Sequence, residues 1–191
     1  MGCEGTLANA MTKTPNTLKS ASGFALLDLI FVCAIVALLC GIALPRLLLA
    51  KQAAGAGSAI GSMRAINSAQ LTFALTCGGG FYAPNLSTLG TAPVGSRESF
   101  ISGGLGDSDT VTKSGYIIKV EAAAYGGAPD SCNGLPAGEA GQGFKATADA
   151  AEPGNIRFFA TNADAQIYEF TSSLAAAMPE TGEPAFGATL R

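Results

Sequence analysis

Hydrophobic positions change their spacing twice along the chain. From Leu29 to Leu44 no charged residue occurs, and after Pro45 and Arg46 the apolar character resumes through Leu47, Leu48, Leu49 and Ala50. At about 1.5 Å per residue, a helix from Leu29 to Ala50 spans about 33 Å, against a hydrocarbon core of about 30 Å. One membrane-crossing helix is predicted. Beyond it, Ala59, Met63, Ile66, Phe73 and Cys77 recur at steps of three, four and seven, the spacing of one helical face. The helix is expected to continue to about Leu75. Gly55, Gly57 and Gly61 weaken this half by about 1 kcal/mol each relative to Ala. Small residues four apart also let backbones approach closely, so they read either as a packing surface or as a hinge.

After Gly78 the period falls to two. Tyr116–Glu121, Gly143–Ala148, Asn155–Ala160 and Gln166–Phe170 are strand candidates, and Asn162-Ala163-Asp164 reads as a hairpin turn. These strands suggest an antiparallel meander with the amphipathic helix half on its apolar face, an α+β fold. The Gly/Pro/Ser-rich segments 78–114 and 126–142 read as surface loops.

Composition narrows the function. Of 191 residues, 48% are hydrophobic and 13% charged, with 11 Lys+Arg against 14 Asp+Glu and no His or Trp. Disorder needs the opposite balance, and nucleic-acid binding a basic footprint. Without His, the commonest general base and zinc ligand are missing, so neither an enzyme nor a metal or cofactor site is expected. An enzymatic or binding ectodomain on a simple signal anchor remains a remote alternative, its nucleophile Cys77, Cys132 or a Ser.

The N-terminus carries the sharper signal. A polar leader, Met1–Gly23, holds Lys13 and Lys19 against Glu4, while Arg46 and Lys51 lie at the far end of the span, so charge alone leaves orientation open. The apolar run is too long for a secretory signal peptide. Met1-Gly2-Cys3 opens a short myristoylation-like pattern. A plain signal anchor leaves Asp28 unexplained, since an ionised carboxylate at mid-bilayer costs on the order of 2.5 to 3.5 kcal/mol. Cleavage between Gly23 and Phe24 creates a partner: the new amine, with a pKa of roughly 8, is positive at pH 7 and four residues before Asp28. Alternatively, Asp28 lies near a helix start, where the dipole tolerates it.

Gly23-Phe24-Ala25-Leu26-Leu27-Asp28-Leu29-Ile30, heading an apolar helix, resembles the class III signal of type IV pilins and type II secretion pseudopilins. The resemblance implies a pilin-like fold, a prepilin peptidase that cuts after Gly23 and N-methylates Phe24, and an assembly role for Asp28. The family's usual acid is Glu; Asp28 keeps the carboxylate with one methylene less reach, and the leader is longer than in many pilins. Pro45 removes one helical hydrogen bond to Gly41, so the helix is expected to bend or melt there. In the family, a proline at this distance lies in a stretch that loses helicity inside filaments, which implies an assembly role for Pro45.

Four segments follow: a leader (1–23), a transmembrane and filament-core half-helix (24–50), an amphipathic half (51–77) and an extracytoplasmic β-sheet head (78–191). The resemblance implies a leader in the cytoplasm, a head outside, and passage from the inner membrane to a surface pilus or periplasmic pseudopilus. The implied partners are copies of the chain and related pilins, prepilin peptidase, the inner-membrane assembly machinery and, before assembly, lipid. A pilus subunit is the first reading and a secretion pseudopilin the alternative. Cys33 and Cys40 fall in the span and Cys3 in the leader, which leaves Cys77 and Cys132 as the economical disulfide in an oxidising compartment.

Overall fold

The structure, a computed structural model, describes the backbone of residues 21–190 and the side chains of residues 26–190. Most of the expected leader, with Cys3, lies outside the described residues. The chain divides into two compact units, Met1–Leu47 and Leu48–Arg191. The first helix, α1, runs over Ala21–Thr76 without interruption. Local melting at Pro45 is not observed: the backbone stays helical through Gly41 and Pro45. Proline deletes one hydrogen bond, and the flanking turns retain theirs, as membrane helices commonly allow. Gly55–Gly61 is helical as well, as expected of a continuing helix and against the hinge alternative.

In the first unit, every residue from Leu26 to Leu47 is exposed. Apolar side chains cover the whole circumference of this helix. It is long and apolar enough to cross a membrane.

The second unit is an antiparallel meander packed on the remainder of α1. Its strands are β1 (Thr110–Lys113), β2 (Tyr116–Glu121), β3 (Lys145–Ala150), β4 (Phe158–Asn162), β5 (Ile167–Phe170) and β6 (Ala188–Thr189), in spatial order β1-β2-β3-β4-β5-β6. Expected strand β2 is found unchanged. The next two lie two or three residues later than expected, while β1 and β6, polar or very short, were not anticipated. Period-two alternation sends Ile118, Val120, Ala146, Ala148, Phe159 and Ile167 to the α1 side, where they enclose Ala59, Met63, Ile66 and Phe73. The helical face read from sequence is therefore the buried one.

Two features depart from the surface-loop expectation. Residues 78–114 contain a short helix, α2 (Leu86–Gly90), capped by the Asn85 side chain, which accepts from the Thr88 N–H at 2.9 Å. Leu86, Leu89, Ile101 and Leu105 from this stretch are buried in the main core. The far side of the sheet is covered by residues 171–187. Leu174 and Met178 pack there on Ala160 and Tyr168, and Lys145 Nζ donates to the Ala175 carbonyl at 2.9 Å.

Candidate assembly surface

On α1, Asp28 is exposed among Leu26, Leu27, Leu29 and Ile30. Gly23 and Phe24 lie in the helical backbone, and the Phe24 side chain falls outside the described residues. Asp28 thus sits about one helical turn after Phe24, the spacing that lets groups meet on a helix surface.

Past the span, α1 has two distinct faces. Gly55 is buried because a Cβ there would lie 2.7 Å from the Ser114 carbonyl oxygen. The β1–β2 turn crosses the helix at that point, and only glycine permits the approach. Gly57 and Gly61 meet nothing within 4 Å. They begin an exposed stripe that continues through Arg64, Ser68, Leu71 and Leu75 at alternating steps of four and three. Leu71 is 54% exposed and Leu75 76%. Sequence reasoning identified the small residues but missed these leucines. Their signal is the same three-four spacing, in opposite phase to the core face.

Polar clamps hold α1 against the head. Gln70, fully buried, donates to the Ala83 carbonyl at 2.8 Å and accepts from the Ala83 N–H at 2.9 Å. Asn67 Nδ2 donates to Thr161 Oγ1 at 2.9 Å. At the helix C-terminus, Cys77 and Cys132 form a disulfide across a sequence separation of 55. The Cys132 N–H also donates to the Cys77 carbonyl at 3.3 Å, so backbone and side chain tie the two segments together. Cys33 and Cys40 are exposed and outside this bond.

Several titratable groups of the head form surface ion pairs. Hydrogen bonding to Lys119 holds the Glu121 carboxyl below its usual range, and pairing with Glu169 raises the Arg157 guanidinium further. Burial raises the Asp149 carboxyl; Ser173 donates to its Oδ2 at 2.9 Å, while the buried Oδ1 has no hydrogen-bond partner. Among the described residues, no group of three or more Cys, Asp or Glu side chains is arranged to hold a metal ion. A polar groove of about 290 Å³ beside α2 is lined by Ser87, Thr88, Thr91 and Asn133. Its polar side chains are engaged locally: Ser87 donates to Asp109, and the Asn133 amide donates to the Thr88 carbonyl at 2.8 Å. Comparison with protein families, curated proteins and solved structures finds no match to this chain.

Proposed function

We propose that this chain is a structural subunit of a type IV pilus-like filament, with a pilin-like fold. In this reading it is cleaved after Gly23, anchored by the apolar part of α1, and assembled through Phe24 to about Leu75. One observation carries the proposal beyond a simple anchor. The exposed stripe from Gly57 to Leu75 lies past the span, where lipid cannot cover it, and combines close-approach glycines and large leucines with Arg64 and Ser68. A second helix is the natural cover. A disulfide in the head is in keeping with an extracytoplasmic position, leader inside and head outside.

In the assembly step, the Phe24 amine of an incoming subunit pairs with Asp28 of a neighbour. The pair neutralises two charges in a low-dielectric core and sets axial register. Replacing both exposed leucines, Leu71→Gln with Leu75→Gln, leaves the buried face intact. The double variant should insert and fold normally while filament yield, scored by electron microscopy, collapses. Asp28→Ala should show the same separation of insertion from polymerisation. Normal filament yield from both variants would overturn the reading.

A further inference from the structure

The end of the head nearest Lys51 carries exposed apolar groups that the core does not use. Ile156 is 66% exposed and Phe186 41%, and Pro153 is exposed in the same β3–β4 connection as Ile156. Phe186 packs on Phe170 with ring centroids 4.8 Å apart, and an open groove of about 520 Å³ runs between Ile156, Phe170 and Ala188. Below its apolar rim, Arg157 and Glu169 form a two-pronged ion pair, with Nη2 to Oε2 at 3.0 Å. This mixture of apolar rim and paired charges suits the boundary between headgroups and acyl chains.

Chain connectivity fixes what lies against it. Lys51 is the residue immediately after the apolar run, and its Nζ is 3.0 Å from Glu152, at the start of the connection that carries Pro153 and Ile156. Asn155, next to Ile156, lines the same crevice as Lys51 and Gln52. If Leu48, Leu49 and Ala50 end the span, the chain leaves the membrane beside this pole of the head. We infer that Pro153, Ile156 and Phe186 form an interfacial foot that sits among lipid headgroups while the subunit is anchored and leaves them on extraction. The inference depends on the membrane-anchor reading of α1 and not on filament assembly.

The chain has no tryptophan, so each introduced indole is the sole reporter. Full-length Ile156→Trp and Phe186→Trp are reconstituted in phosphatidylcholine–phosphatidylglycerol vesicles, with and without lipid brominated near the headgroup, and Leu38→Trp with and without lipid brominated near the acyl-chain ends. Leu38→Trp, inside the span, and Val94→Trp, 92% exposed beside the disulfide, are the references. The expected result is blue-shifted, bromine-quenched emission from positions 156 and 186, and red-shifted, unquenched emission from position 94. Red, unquenched emission at 156 and 186 overturns the foot. Blue but unquenched emission there also overturns it, since protein and not lipid would then cover these positions. Unquenched Leu38→Trp overturns the membrane anchor and the foot together; quenched Leu38→Trp with unquenched Ile156→Trp overturns the foot alone.

Discussion

Within α1, Gly55 and Gly61 lie less than two turns apart and have opposite meanings. Gly55 is buried because the β1–β2 turn leaves no room for a Cβ, whereas Gly61 faces open space. The same contrast extends to whole halves of the helix. Residues 26–47 are exposed on every side, so nothing among the described residues selects a face. From Gly55 onward one side is consumed by the sheet, and the other is left with glycines, Leu71 and Leu75. A helix apolar all round needs lipid or a bundle; one whose exposed face keeps glycines and large leucines has a surface that can accept a partner. Burial thus separates what serves this fold from what remains exposed, the surface on which the proposed assembly rests.

The largest expected effect concerns the tie at the end of the buried half. Replacing both Cys77 and Cys132 by Ser should lower unfolding stability by about 4 kcal/mol, the loop-closure value for this separation. Chemical denaturation in detergent, followed by near-ultraviolet circular dichroism, measures it. An unchanged midpoint would show that backbone contacts alone hold the Cys132 segment. A smaller but more pointed effect separates the two glycines. Gly55→Ala should destabilise by about 1 to 3 kcal/mol through overpacking, while Gly61→Ala should stabilise the isolated subunit by up to about 1 kcal/mol through helix propensity. Equal effects in thermal melts would erase the distinction between the two faces.

The smallest effect lies on the far side of the sheet. Burial raises the Asp149 carboxyl in the folded state, with Ser173 opposing, and Lys119, Glu121 and Lys145 share this face of β2 and β3. A raised carboxyl binds its proton more tightly when folded. Its contribution to stability is therefore present below the ordinary aspartate range and is lost as pH rises through the raised value. Asp149→Asn should consequently increase Tm slightly at neutral pH, and the gain should vanish in acid. A gain independent of pH would point to packing instead.

The legible parts of the fold were those in which one residue pattern had one use. The strand YIIKVE alternates cleanly and is found as β2. The face from Ala59 to Cys77 keeps its helical spacing and is buried throughout. By contrast, β3 reads KATADA, with little strand propensity. It is a central strand because Ala146 and Ala148 are small enough to lie under α1, a tertiary reason invisible to local pattern. Gly143 and Phe144 precede the ladder instead of forming it: Phe144 packs on Tyr82, and a Cβ on Gly143 would meet Glu180 at 3.0 Å. The covering role of residues 171–187 was similarly hidden, because Leu174 and Met178 are isolated among polar and small residues. At the candidate site, Asp28, the glycines and the cysteine pair stood out as chemical exceptions, whereas Leu71 and Leu75 did not. Their importance depends on the opposite face being occupied.

The N-terminal residue of the membrane-extracted protein tests the central claim most directly. Intact-mass measurement with N-terminal fragmentation should show a chain that begins at Phe24 and carries one added methyl group on its amine. A chain that still begins at Met1 would leave Asp28 without its proposed counter-ion and would contradict the account.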